Sequence, residues 1–117
     1  MKKVVTFGEV MVRLAPSEHY RFTQACPGSM DLTFGGAESS VAASVSMLGG
    51  SSRFVSALPQ HAIADAFVRQ MRGFKVDVDH VLRREAGRFG IYYVESGANQ
   101  RPSRVIYDRD YSAVSMC

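Results

Sequence analysis

Two groups of residues in this sequence have the types and spacing that ligand chemistry needs. The first is Gly35-Gly36 with the Ala37-Glu38-Ser39-Ser40 that follows. Glycine lets a ligand come close to the main chain, and free N–H groups at a helix start attract polar or anionic groups. The same pair also makes a tight strand-to-helix turn with no ligand, and the residues alone leave both readings open. No third glycine follows at dinucleotide spacing, and no Gly-Lys-Ser/Thr phosphate loop occurs anywhere. Glu38 suits the helix dipole in a first turn. The hydroxyls of Ser39 and Ser40 can reach a substrate or bond their own backbone.

The second group is Tyr92, Tyr107 and Arg109. Strand alternation puts Tyr107 and Arg109 on one face. An aromatic ring beside a guanidinium suits a sugar acid, with the ring packing the sugar and the arginine forking onto a carboxylate. The alternative is an ordinary cross-strand aromatic beside a solvated arginine. His19, His61 and His80 lie far apart, with no cysteine or carboxylate at a ligand spacing. Each is expected on the surface or at a helix cap, and no metal site is expected. Cys26 and Cys117 match no metal or redox spacing. They are expected to be free thiols in a reducing, cytoplasmic setting. No Ser-His-Asp or Cys-His arrangement follows from spacing.

The elements that must position these groups can be read along the chain. Lys3 to Phe7 is a short β-branched run that predicts a buried first strand, stopped by Gly8. Met11 to Leu14 continues as an extended piece ended by Pro16. Ser17 to Ser29 is polar, with a turn at Pro27-Gly28. Asp31 to Phe34 alternates polar and apolar, as a half-exposed strand does. From Ala37 the apolar positions Val41, Val45 and Leu48 have helical spacing, and Gly49-Gly50 closes that helix. Arg53 to Leu58 predicts a strand, ended by Pro59. Ile63, Phe67, Met71 and Phe74 predict an amphipathic helix over 62–72, and Val76 to Leu82 is extended again. Strands alternating with helices indicate a parallel sheet in an α/β fold. The tail differs. Phe89 to Glu95 and Arg104 to Asp108 flank a turn cluster at 96–99, which predicts an antiparallel hairpin. Tyr111 to Cys117 offers no cap and no closing helix. Two helices cannot cover both faces of a parallel sheet, so the chain is expected to stop in mid-fold.

Composition narrows the function classes. The 117 residues suit one domain, since domains cluster near roughly 100–150 residues, and 46% are apolar, enough for a core. The formal charge is +3, but the basic residues are scattered, so a nucleic-acid face is not expected. No stretch approaches the roughly 20 apolar residues of a membrane span. Gly8-Glu9 interrupts the first apolar run too early for a signal peptide.

The opening Val4-Val5-Thr6-Phe7-Gly8-Glu9-Val10-Met11-Val12-Arg13-Leu14, followed by Phe34-Gly35-Gly36-Ala37-Glu38-Ser39-Ser40-Val41-Ala42 through Leu48-Gly49, resembles the N-terminal signature of the ribokinase-like (PfkB) carbohydrate kinases. Arg88-Phe89-Gly90-Ile91-Tyr92 and Arg101 to Arg109 extend the resemblance toward the 2-keto-3-deoxygluconate kinase branch. It covers essentially the whole chain. It implies ATP-dependent phosphoryl transfer to a sugar hydroxyl, with ATP and Mg²⁺ as cofactors of the full-length protein. It implies a parallel sheet flanked by helices, with a small antiparallel β lid over the sugar. The lid would take segments of about 11–34 and 89–108 from one domain that residues 1–117 begin. It would also serve a homo-oligomer. The sugar-binding residues it implies are Glu9, Gly35, Gly36, Ala37, Ser40, Tyr92, Tyr107 and Arg109.

Two positions depart from the family pattern. Ser40 stands where the signature usually has Asn, and a sugar hydrogen bond there would be lost or bridged by water. Ala64 replaces the glycine of a common Ile-Gly-Asp, a change that favours helix. The family's catalytic aspartate lies in a C-terminal Gly-Ala-Gly-Asp motif, which this sequence lacks. The 117-residue chain is therefore expected to hold no catalytic residue and no ATP site, and to be inactive alone. A non-catalytic sugar-binding or dimerisation module is the second expectation.

Overall fold

Val4, Val5 and Thr6 favour extended backbone through β-branching. The computed structural model, which describes residues 2–116, has its first strand there, β1 (Val4–Phe7). Cys117, expected as a free thiol, lies outside the described residues; Cys26 is free and exposed. The chain continues through β2 (Met11–Ala15), α1 (Phe22–Ala25), β3 (Asp31–Gly35), α2 (Ala37–Met47), β4 (Ser52–Pro59), α3 (Ala62–Gly73), β5 (Val81–Arg84), β6 (Ile91–Glu95) and β7 (Arg104–Asp108). A 3₁₀ turn at Val114–Met116 follows. Among the described residues no helix is long and apolar enough to cross a membrane.

Two sheets form. The first is three-stranded and parallel, in the order β1-β4-β5. The second has the order β3-β2-β6-β7. There β2 runs antiparallel to β3, and β6 antiparallel to β7, as the hairpin pattern predicts. The pair β2–β6 is parallel, so this sheet is mixed rather than purely antiparallel. The two halves of the second sheet come from separate stretches of chain, with the α/β layer inserted between them.

Four rings join the layers. Phe34 of β3 meets Phe67 of α3 edge-on at 5.3 Å and stacks on Phe89 at 5.8 Å, while Phe67 meets Phe54 of β4 at 5.8 Å. Phe54 and Phe67 are almost fully buried. His61 caps α3, accepting the Ala64 N–H at Nδ1 (3.4 Å), and its ring lies over Phe89. That is the helix-cap role expected of it.

Several expectations need correction. The first strand is not buried: Val5 is 57% and Phe7 66% exposed. β1 lies at a sheet edge and pairs only with β4 among the described residues. The apolar stripe of α2 does not face the sheet either. Val41 and Leu48 are exposed, and the helix seats its small residues Ser39 and Ala42 instead. Small side chains let the backbones approach, so that Ser52 Oγ donates to the Ala42 carbonyl at 2.7 Å. The helix closes as expected, with Gly49 at φ +92° and the Gly50 N–H bonded to the Val45 carbonyl. Residues 76–80 are not a strand. The main chain bridges only at Asp77 before β5 begins at Val81. The polar stretch 17–29 contains α1, whose Phe22 N–H is held by the buried carboxylate of Glu95. The tail does dock. Ala113 and Ser112 are buried, and the Ala113 N–H bonds to the Arg88 carbonyl. Gly87, at φ +93°, leaves the space that Ala113 occupies.

Asp77 ties the N-terminus to the sheet. Its carboxylate accepts from Lys3 Nζ (2.7 Å), Arg53 Nε (2.9 Å) and the Asp79 N–H (2.9 Å). The Lys3 bond, then the Asp79 N–H and Arg53, hold this carboxyl well below the usual carboxylate range. A depressed native value stabilises the fold in full above the unfolded carboxyl value of roughly 3.9. That contribution is lost as pH falls from there toward the depressed value. Asp77→Asn should flatten the acid limb of a stability–pH curve below about pH 4, measured by urea denaturation. An unchanged limb would refute this. Phe67→Ala should destabilise by about 3–5 kcal/mol in the same measurement.

Candidate functional site

The loop after β1 brings Glu9 beside the strand ends of the second sheet. Gly35 ends β3 opposite Met11, and Gly36 starts the turn into α2. Tyr92 of β6 pairs across with Tyr107 of β7, and Arg109 follows two residues later. The two tyrosine rings lie 6.2 Å apart at 31°. The Arg109 guanidinium sits over the Tyr107 ring, 5.8 Å from its centre. Its Nη2 reaches Glu9 Oε1 at 3.2 Å.

Glycines make this arrangement possible. The Tyr92 hydroxyl lies where a side chain on Gly35 would begin. A Cβ on Gly36 would stand 2.7 Å from the Glu9 carbonyl oxygen. One on Gly90 would meet Glu9 Oε2 at 2.9 Å and Arg109 Cβ at 3.2 Å. Glu9, Gly35, Gly36, Tyr92, Tyr107 and Arg109 thus come together. Ala37 stands next to them, exposed at the start of α2.

Ser40 goes elsewhere. It lines a shallow groove with Phe34, Ala43, Met71 and Phe74, between α2 and α3. Gly90 was missed in the sequence, although an isolated glycine next to a strand signals close approach of another group. Glu38 was read as a dipole partner, and its carboxyl also packs against Gly8. A second, polar cleft between residues 18–24 and Ala98, Asn99 and Arg101 lies at the turn end of the β6–β7 hairpin, the opposite end from Arg109.

Chemically the site offers a charged fork on an aromatic platform, with a carboxylate beside it. Glu9 is 17% exposed and Arg109 51%. Glu9 Oε2 is buried and has no hydrogen-bond partner. Such a surface suits a small ligand that carries hydroxyls and a negative group. Its Gly35-Gly36 turn does not cradle a nucleotide phosphate. The Gly35-Gly36 concavity is filled by the Tyr92 hydroxyl and the Glu9 carbonyl oxygen, and a carbonyl oxygen repels an anion. Among the described residues, no three His, Cys, Asp or Glu side chains cluster to hold a metal.

Comparison with known proteins finds relatives that match nearly the whole chain. The sequence profile of the pfkB family carbohydrate kinases matches residues 1–116. A 2-dehydro-3-deoxygalactonokinase of Haloferax volcanii is 39% identical over 113 residues, 97% of this chain and 35% of the relative. The crystal structure of 2-dehydro-3-deoxygluconokinase from Thermotoga maritima superposes with a TM-score of 0.93 at 46% identity, over 100% of this chain and 35% of that one. A PfkB family carbohydrate kinase from Listeria grayi gives a TM-score of 0.92 at 34% identity, over 99% of this chain and 35% of that one. The chain thus spans about a third of the length of these relatives.

The packing of Tyr92 on Gly35 can be tested without a ligand. Gly35→Ala should destabilise by about 1–3 kcal/mol through overpacking. The cost should shrink in a Tyr92→Ala background, because the clash has one partner. Additive costs in a double-mutant cycle would refute the contact.

Proposed function

This chain belongs to the pfkB family of carbohydrate kinases, and we propose that it supplies the sugar-binding part of a kinase acting on a 2-keto-3-deoxy sugar acid. The observation that carries the acid reading is Arg109, stacked on Tyr107 and half open to solvent. An exposed guanidinium on an aromatic platform binds a carboxylate by a bidentate, charge-assisted fork. Tyr92 and Tyr107 would pack the carbon chain of the sugar. Gly35, Gly36 and Ala37 would bring main-chain groups close to its hydroxyls. Glu9 would accept from a hydroxyl. The names of the Haloferax and Thermotoga relatives support this substrate class.

The domain reading goes with it. Residues 1–117 form the N-terminal part of one ribokinase-like domain, with lid segments at about 11–34 and 89–108. The second sheet, β3-β2-β6-β7, supplies those segments. A sugar under this lid would be shielded from water on one side by the tyrosine rings. Homo-oligomers through the lid are part of the same reading, supported by the exposed Leu32, Val105 and Ile106 of that sheet.

When bound to the whole kinase, ATP with Mg²⁺ would supply the phosphoryl group and its charge neutralisation. The Gly35-Gly36 turn does not fit a nucleotide phosphate, and among the described residues no three His, Cys, Asp or Glu side chains cluster around a metal, so no step of the transfer is assigned to this chain's residues. Their part is to orient the sugar, since phosphoryl transfer depends on positioning. The test is Arg109→Ala in the full-length protein. It should raise KM for 2-keto-3-deoxygluconate about 10- to 100-fold, the worth of a charge-assisted contact. KM for a neutral sugar such as fructose should change little. Equal effects on both would overturn the acid reading.

A further inference from the structure

We propose that Glu9 determines specificity by competing with a ligand's carboxylate for Arg109, and so sets how strongly the site prefers an acid sugar over a neutral one. This rests on Arg109 being the carboxylate-binding group. Glu9 Oε1 lies 3.2 Å from Arg109 Nη2, so the guanidinium already carries an internal anion. Asp108, next in sequence, is occupied by Arg88 at 2.7 Å and does not contend for it. A ligand carboxylate at Arg109 would put a second negative charge within a few ångströms of Glu9, and like charges at that range repel.

Glu9 is also held in a poor place for a carboxylate. Its Oε2 is buried without a hydrogen-bond partner, in the space opened by Gly90. A buried acceptor left unpaired is costly. Rotation of Glu9 away from Arg109 would relieve that cost and free the fork. Glu9 is not needed to hold the guanidinium in position, because Arg109 also rests on the Tyr107 ring at 5.8 Å. Removing the charge of Glu9 therefore leaves the platform in place and removes the competitor.

The ratio of kcat/KM for an acid sugar to that for a neutral one isolates this effect. A hydroxyl contact from Glu9 would serve both sugars and cancels in the ratio. The experiment measures kcat/KM for 2-keto-3-deoxygluconate and for fructose in full-length protein carrying Glu9→Gln. The acid-to-neutral ratio should rise roughly three- to tenfold, a range set by partial exposure. Should Glu9→Gln fold poorly, Glu9→Ala should shift the ratio in the same direction. An unchanged ratio would reduce Glu9 to a shared hydroxyl acceptor and overturn the proposal. A lower ratio would make it a support for Arg109 and overturn it equally. Arg109→Ala run in parallel separates the two readings. If it leaves the ratio unchanged, the acid reading itself fails, whatever Glu9→Gln does.

Discussion

The contact among Phe34, Phe67, Phe89 and Phe54 is the constraint on which the rest of this molecule depends. Among the described residues the two sheets share no strand pairing, so their relative placement rests on packing. Aromatic pairs of this kind contribute about 0.5–1.5 kcal/mol each beyond the area they bury. Phe34 belongs to β3, Phe89 directly precedes Gly90, and Phe67 projects from α3. One ring cluster therefore sets both the second sheet and the helix that faces it.

The consequence for the site is direct. Phe34 is followed by Gly35, and Phe89 by Gly90. Each packed ring anchors a glycine, and each glycine leaves room for a side chain of the candidate site. Tyr92 fills the space at Gly35, while Glu9 and the stem of Arg109 fill the space at Gly90. Rigid packing on one side thus becomes defined geometry on the other. Neither the Glu9–Arg109 pair nor the Tyr107 platform is buried enough to place itself, since exposed ion pairs contribute only about 0–1 kcal/mol. Their positions are inherited from the core.

The polar contacts follow a similar division. Asp77 gathers Lys3, Arg53 and the Asp79 N–H at the start of the parallel sheet. Glu95 holds α1 through the Phe22 N–H. Both hold elements of the fold together, and neither faces the site. Glu9 differs in facing the site, with one oxygen paired and the other buried and unpaired. A carboxylate that the fold leaves half satisfied stands apart from those that only hold it together.

Much of this was legible in the sequence because it depends on local rules. Strand and helix periodicity located most elements to within a residue or two, although it missed α1 and began the β5 strand five residues early, and Gly49-Gly50 marked the end of α2. The alternation of Tyr107 with Arg109 placed both on one face before any contact was known. Burial was not legible. Val5 and Phe7 look like core residues, yet β1 lies at an edge, and Val41 and Leu48 point away from the sheet that α2 covers. Hydropathy reports which side chains avoid water, but not which faces the topology leaves open. The sequence by itself determined the alternation of strands and helices, the hairpin and the placing of Tyr107 and Arg109 on one strand face, because these follow from nearest neighbours along the chain. Only the tertiary structure decided that Glu9 would meet Arg109 across 100 residues of chain. It alone sent Ser40 to a different groove, because long-range packing of four rings, not local pattern, chooses which loop ends share a space.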